Sequence, residues 1–363
     1  MLAKLSEHLQ KELPFVVYRA PEASTVKIVF QHTNELQTVE DFSESGFVFA
    51  PFDTTEKVIL IPFDEVRVGE LETVITETAA TETPNPSAEA YEQHLELVKK
   101  GIETIQNSDI QKIVLSRKEE INSTVDPFLL FERLRENYPT AFVYLWYHPK
   151  VGMWAGATPE TLLKANGNTM STMSLAGTRK FEENLEFTWN KKEIEEQQIV
   201  TDYIVNRLKD SVTNVSVSEA KTHQAGSLLH LCAMISGRMP FSTNIGDIIT
   251  TLHPTPAICG FPTEAAKSFI IQEEKYDRAF YTGYLGELNL KEETSRNRNR
   301  KNQENSAYRT VRSRSELYVN LRCMQLTDTK RILYIGGGIT KDSDPESEWQ
   351  ETLAKSQIMK RVL

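Results

Sequence analysis

An amphipathic helix followed closely by an apolar strand restricts the fold of this chain more than any other pattern. Ser87 is a residue type that caps helix N-termini, and the apolar residues after it recur at intervals of three and four, as on one buried helix face: Leu95, Val98, Ile102 and Ile105. The apolar run Ile113-Val114-Leu115 comes next and predicts a strand. The chain therefore combines helices with β-strands.

Further β-like runs and helical stretches lie on both sides of this pair. The N-terminal region, to about residue 75, carries three short β-like runs and no visible chemistry: 15–18, 26–30 and 57–61. Residues 77–87 are rich in Thr, Glu, Ala and Pro, which is typical of an exposed connector. Beyond it we expect two helices, over about 191–208 and 347–362, and three strands, over 141–146, 152–154 and 331–335.

Charge and cysteine content narrow the class of protein. With 363 residues and 39% hydrophobic content, the chain can bury a large core in one or two domains. A net charge of −10 argues against nucleic acid or an anionic membrane as the main partner, so an anionic ligand would need a local metal ion or a few basic side chains. Three scattered cysteines, no signal-peptide pattern and no bilayer-length apolar run predict a cytoplasmic protein.

Two pairs of glutamates are the candidate metal ligands. Glu193 and Glu196 stand three residues apart on one predicted helix, as do Glu348 and Glu351 on another, so each pair shares a helical face. Oxygen-only ligands suit Mg²⁺, which takes one or two protein carboxylates and keeps several waters. Glu pairs at this spacing are also common on solvated helices, and Lys355 could equally form a surface salt bridge to Glu351. Spacing alone favours the solvated face.

Three further signals are weak when taken singly. Gly336, Gly337 and Gly338 follow a predicted strand and could let backbone amides approach an anion, although the run matches no dinucleotide or phosphate motif. Lys112 begins an apolar strand and Glu160 follows a Thr-Pro pair, positions at which burial could create a base and an acid. An ordinary edge residue is the simpler interpretation of each. His230 and His253 are by default structural histidines.

A basic segment, 291–315, holds eight Arg or Lys residues against three Glu. It could be a binding patch or a solvated hairpin loop between two strands. We favour the loop, because the segment lacks interleaved aromatic residues beyond Tyr308 and the whole protein is acidic.

Eight short motifs occur in the order typical of the chorismate-binding enzymes, the family of isochorismate, salicylate, anthranilate and aminodeoxychorismate synthases. The resemblance spans about residues 91–362 and rests on these runs: Lys112-Ile-Val-Leu-Ser-Arg117, Pro159-Glu160, Leu175-Ala-Gly-Thr-Arg179, Lys192-Glu193 through Glu196, His253-Pro-Thr-Pro-Ala257, Leu321-Arg322-Cys323, Gly336-Gly-Gly-Ile339 and Glu348-Trp-Gln-Glu-Thr352. The combination is far more specific than any of its members.

The resemblance implies a fold and a set of roles. The fold is a single α/β (α+β) layered sandwich of two β-sheets with outer helices, in which residues 1–90 add strands and 91–363 form the catalytic region. Glu196 and Glu351 match the magnesium ligands, supported by Glu193 and Glu348. The matched substrate-binding residues are Arg322 and Tyr281 for the enolpyruvyl carboxylate, Gly336, Gly338 and Lys355 near the ring carboxylate and metal, and Gly177, Thr178 and His230 facing the ring.

Two positions discriminate among family members. Lys112 resembles members that add water, where it would take a proton from water attacking C2 while Glu160 protonates the departing C4 hydroxyl. Ammonia-using members usually have glutamine there. Ala257 resembles the isochorismate synthases, whereas salicylate synthases and ammonia-using members commonly have threonine. One departure is Gln197, where the family usually has a titratable histidine.

We therefore expect chorismate as substrate, Mg²⁺ as cofactor and isochorismate as product. A salicylate synthase, an aminating enzyme and a non-catalytic interaction subunit remain alternatives. Tyr281, Leu321 and the absence of an attached lyase or carrier domain favour a menaquinone over a siderophore pathway. We further expect a monomer without an obligate partner subunit, and neither nucleic acid nor membrane as partner.

Overall fold

A computed structural model describes residues 1–71, 86–180, 188–225, 228–294 and 310–363. The helices in this part of the chain are α1 (Leu2–Gln10), α2 (Ala88–Gln106), α3 (Pro127–Asn137), α4 (Lys191–Leu208), α5 (Ile245–Leu252), α6 (Thr263–Glu273) and α7 (Pro345–Lys360). None of the helices described is both long and apolar enough to span a bilayer.

The strands form two antiparallel sheets. The first contains nine strands: β1 (Phe15–Arg19), β2 (Val26–Phe30), β6 (Glu65–Gly69), β7 (Lys112–Asn122), β8 (Phe142–His148), β9 (Gly152–Thr158), β15 (Gly260–Phe261), β18 (Cys323–Leu326) and β19 (Lys330–Ile339). Their spatial order is β15-β7-β19-β18-β9-β8-β1-β2-β6.

The second sheet contains ten strands. Nine lie along its main path, in the order β12-β14-β11-β10-β17-β16-β4-β5-β3, and the tenth, β13, pairs with β14 beside it. Its strands are β3 (Gln37–Thr38), β4 (Gly46–Ala50), β5 (Ile59–Pro62), β10 (Thr161–Asn166), β11 (Thr169–Lys180), β12 (Thr213–Val217), β13 (Lys221–Ala225), β14 (Leu228–Arg238), β16 (Tyr284–Thr294) and β17 (Thr310–Val319). N-terminal strands enter both sheets, since β1 pairs with β8 and β4 with β16.

The core consists of layers on both faces of the sheets. Strand β1 is buried along its whole length because successive side chains point to opposite faces, and both faces are covered. Val16 and Tyr18 join aromatic residues of both sheets, such as Phe49 and Trp146. Phe15 and Val17 pack into a cluster with residues of α1, α3 and α7. Helices α4 and α5 cover the second sheet. The expected layered sandwich with outer helices is confirmed.

Most elements lie where the sequence indicates. Ser87 caps α2, with its side chain accepting a hydrogen bond from the Ala90 amide at 3.2 Å. The helices expected over 191–208 and 347–362 are α4 and α7. Most of the expected connector 77–87 lies outside the described residues.

The triple glycine corrects one boundary. We expected the strand to end before Gly336, but β19 continues to Ile339 and pairs with β7 along its full length. Glycine weakens a strand in isolation, but here the absent side chains leave room for other residues to approach closely.

The basic segment is a hairpin in its described part. Strands β16 and β17 pair as far as Thr294 and Thr310, so 291–294 and 310–315 are strand rather than loop. Residues 295–309, with most of the basic side chains, lie outside the described part of the chain.

Candidate active site

A cavity of about 340 Å³ brings together the residues that the sequence singles out. Its wall includes Lys112, Glu160, Gly177, Glu193, Glu196, His230, Ala257, Tyr281, Arg322, Gly336, Gly338, Glu348, Glu351 and Lys355. Thr178 lies in β11 where the pairing with β14 is irregular, and its side chain is outside the described part of the structure.

Glycines of β19 form a floor that side chains approach closely. A Cβ on Gly336 would lie 2.6 Å from the Tyr281 hydroxyl, and one on Gly338 would lie 2.7 Å from Lys112 Cε. On Gly337 a Cβ would meet carboxylate oxygens of Glu348 at 3.4 Å and Glu351 at 3.9 Å. These side chains occupy the volume that a larger residue in β19 would need.

Two lysines hold the glutamates that match the metal ligands. Lys112 Nζ lies 2.5 Å from Glu196 Oε1, so a salt bridge joins β7 to α4. Lys355 Nζ lies 2.6 Å from Glu351 Oε1 and donates a second hydrogen bond, of 3.0 Å, to the Gly336 carbonyl. The cations thus offset the repulsion among carboxylates that face one cavity.

Glu193 has a different environment. With Asn190 it forms a capping box at the start of α4: the Glu193 amide donates to Asn190 Oδ1, and the Asn190 amide donates to Glu193 Oε2. Glu193 Oε1 accepts a 2.7 Å bond from Arg179 Nε. Both carboxylate oxygens of Glu193 therefore already accept hydrogen bonds, one from the helix start and one from Arg179.

The donor set nevertheless fits a magnesium ion. No three or more His, Cys, Asp or Glu side chains in the described ranges stand close enough together to form a ready metal site. Mg²⁺ requires only one or two protein carboxylates and takes water or substrate oxygens for the rest. Glu348 and Glu351 present oxygens above Gly337, and Glu196 Oε1 lies 3.8 Å from where a Gly338 Cβ would stand. Glu196 and Glu351 would hold the ion, with Glu348 beside them as support.

Glu160 has the properties of a general acid. It follows β9 and is 4% exposed. Burial raises the pKa of its carboxyl from 4.5 to about 7, although Lys112 and Arg322 act in the opposite direction. In a large fraction of the molecules this carboxyl therefore carries a proton at neutral pH, although two cationic side chains lie near it.

His230 is a neutral residue that orients Arg322. Burial, with a smaller contribution from Arg322, lowers the pKa of His230 to about 3. The Gly177 carbonyl can only accept, so His230 Nδ1 donates to it at 2.9 Å. Nε2 then accepts from Arg322 Nη2 at 3.1 Å. This arrangement fixes the imidazole tautomer and directs the guanidinium, whose pKa burial lowers to about 10.

Two residues of the cavity wall, Asn190 and Tyr334, were not identified from the sequence. Asn190 also lines the cavity, and the Asn-x-x-Glu capping pattern could have identified it. Tyr334 stacks on Tyr281 with ring centroids 5.6 Å apart, but nothing in its strand context indicates this contact. Gln197 is buried and donates to Ser174 Oγ and Thr201 Oγ1, both at 2.9 Å, so it acts in packing behind Glu196.

Comparisons with known proteins identify the family to which the chain is similar. A family model described as chorismate binding enzyme matches residues 63–295 and 308–363. Isochorismate synthase EntC of Escherichia coli K12 is 27% identical over 288 residues, which cover 76% of this chain and 68% of that protein. Anthranilate synthase component 1 of Lactococcus lactis is also 27% identical, over 77% of this chain and 58% of its own length.

A solved structure shares the fold. That of MenF, the menaquinone-specific isochorismate synthase from Escherichia coli, superposes with a TM-score of 0.78 at 19% identity, covering 96% of this chain and 88% of the other. Because the family model matches well over half of the sequence, the protein belongs to the chorismate-binding enzyme family.

Proposed function

We propose that this protein is a magnesium-dependent isochorismate synthase, which adds water at C2 of chorismate and removes the C4 hydroxyl. The observation that carries the proposal is the presence of Lys112 and Glu160 in one cavity, with the Glu160 pKa near 7. A lysine suits proton removal from water, and a carboxyl that keeps its proton suits proton donation to a leaving hydroxyl.

The chain's own residues account for the proton transfers. As the base, Lys112 takes a proton from the attacking water, whose oxygen bonds to C2 as the ring double bonds shift. Glu160 gives its proton to the C4 oxygen, which leaves as water, so one water enters and one departs. Arg322 and Tyr281 bind the enolpyruvyl carboxylate. Glu196 and Glu351 would hold Mg²⁺, with Glu348 in support, and the bound ion would neutralise the ring carboxylate and withdraw electron density.

Four residues and the name of one solved neighbour support a choice of pathway. Lys112 and Ala257 favour the isochorismate branch, Tyr281 and Leu321 favour menaquinone over a siderophore, and MenF is described as menaquinone-specific. We propose that this chain supplies menaquinone synthesis and acts in the cytoplasm without a partner subunit.

Product identity tests the activity. Purified protein with chorismate and Mg²⁺ should give a product that retains the enolpyruvyl group by NMR. Lys112→Ala and Glu160→Gln should each reduce turnover by at least about a hundredfold. Lys118→Ala is the matched control, because this lysine lies on the same strand but is exposed and outside the cavity wall. Release of salicylate and pyruvate, a requirement for ammonia, or full activity of both variants would refute the proposal.

A binding experiment tests the metal. Titration calorimetry should show that Mg²⁺ strengthens chorismate binding to the wild type but not to Glu351→Gln. Glu346→Gln, an exposed change on the same helix, should behave as wild type. Retained magnesium dependence in Glu351→Gln would contradict the ligand assignment.

A further inference from the structure

Two residues with an unfavourable backbone conformation lie in the cavity wall. Thr282 has φ of +62° and Arg322 has φ of +48°. This left-handed region is uncommon for residues other than glycine, and for a β-branched residue such as threonine it is a real outlier. Such conformations cost free energy and persist only where the surrounding structure enforces them.

Asn320 joins the two segments that carry these conformations. Asn320 is fully buried. Its backbone amide donates to the Gly283 carbonyl at 2.8 Å, and its backbone carbonyl accepts from the Thr282 amide at 2.9 Å. Its side-chain Nδ2 donates to the Phe280 carbonyl at 2.8 Å. The segment 280–283 is thereby tied to the segment that follows β17 and leads into Arg322.

Tyr144 orients the Asn320 side chain. The Tyr144 hydroxyl, at the fully buried centre of β8, donates to Asn320 Oδ1 at 2.7 Å. This bond distinguishes the two ends of the amide, so that Nδ2 must face Phe280. The Arg322 carbonyl is in turn held by the Ala157 amide at 3.1 Å.

We propose that Asn320, oriented by Tyr144, is a positioning residue that holds Tyr281 and Arg322 in the arrangement that binds a carboxylate of the substrate. The inference rests on the proposed function, in which these two side chains bind the enolpyruvyl carboxylate. Asn320 does not line the cavity and acts only through its neighbours. The strained backbone on both sides of it is the observation that separates positioning from ordinary packing.

Strain gives this role a distinctive signature. Asn320→Ala keeps the backbone bonds to Thr282 and Gly283 but removes the side-chain bond to the Phe280 carbonyl, so the segment that carries Tyr281 and Thr282 can relax toward a more favourable conformation. The relaxation offsets part of the stability lost with the hydrogen bonds. We therefore expect a large loss of chorismate affinity and a small loss of stability. A purely structural role predicts the reverse.

The experiment compares chorismate dissociation constants, measured by calorimetry with Mg²⁺, with melting temperatures. Asn320→Ala should weaken chorismate binding by at least about tenfold, and Tyr144→Phe should weaken it less. Asn289→Ala is the matched control: Asn289 also has a positive φ and donates to two carbonyls, those of Phe42 and Glu44, but it does not line or flank the cavity. It should lose stability and keep its affinity for chorismate.

The arms of this experiment separate the two proposals. If the wild type does not bind chorismate, the proposed function fails. If the wild type binds chorismate, and both Asn320→Ala and Tyr144→Phe bind it as tightly as the wild type does, the positioning role fails while the function stands. Tyr144→Phe retains the aromatic ring, so it keeps the inference testable should Asn320→Ala not fold.

Discussion

Replacing Glu160 with glutamine should change how the stability of the protein depends on pH. The folded-state pKa of Glu160 is about 7 and the ordinary value is 4.5. Between these values the unfolded chain loses its proton while the folded protein keeps it, so rising pH favours unfolding. The effect is absent well below pH 4.5 and complete above pH 7. Glutamine has no titratable proton, so the stability of Glu160→Gln lacks this dependence on pH.

The size of the effect follows from the shift. One pKa unit corresponds to about 1.4 kcal/mol, so the carboxyl lowers wild-type stability by about 1 kcal/mol at pH 5 and by about 3 kcal/mol at pH 8. Glu160→Gln should therefore gain about 2 kcal/mol relative to the wild type between these two pH values. Urea unfolding of both proteins at pH 5, 6, 7 and 8, without Mg²⁺, measures this difference. A constant difference across the series would refute the raised pKa.

The same pKa governs catalysis. Protonated Glu160 is the acid, so kcat/KM of the wild type should fall as pH rises through about 7, and a profile without this descending limb would oppose the assignment. Gly337→Ala would place a Cβ 3.4 Å from a Glu348 oxygen and should weaken Mg²⁺ binding by about tenfold in calorimetry. Gly338→Ala would press on Lys112 Cε at 2.7 Å and should lower kcat by at least about tenfold, whereas unchanged turnover would place the lysine elsewhere. Asn190→Ala removes the cap of α4 and should lower the free energy of unfolding, measured with urea, by about 1 kcal/mol. Unchanged stability would contradict the capping box.

Local sequence patterns predicted the helices and strands better than they predicted the contacts between them. The periodic apolar residues of α2 and its Ser87 cap were sufficient to place that helix. The glycines of β19 misled, because glycine disfavours strands in general and only the pairing with β7 explains the continuation.

The site depended on information beyond spacing. The glutamate pairs alone resembled solvated helix faces, and only the order of several motifs favoured a shared cavity. The salt bridge between Lys112 and Glu196 joins residues of two different elements, so no local pattern announces it. Asn320 carries no sequence signal at all, since its role depends on backbone conformations that become visible only in three dimensions.

Strands from the N-terminal part of the chain pair with strands from its C-terminal part, so the sheets can be completed only late in synthesis. Strand β1 cannot complete its pairing until β8 has left the ribosome, and β4 must wait for β16, which begins at Tyr284. The cavity closes only when β19 and α7, close to the C-terminus, have been made. Contacts so distant in sequence fold slowly. We expect nascent chains that lack α7 to remain open to proteases and dependent on chaperones, with protection appearing abruptly near the end of synthesis.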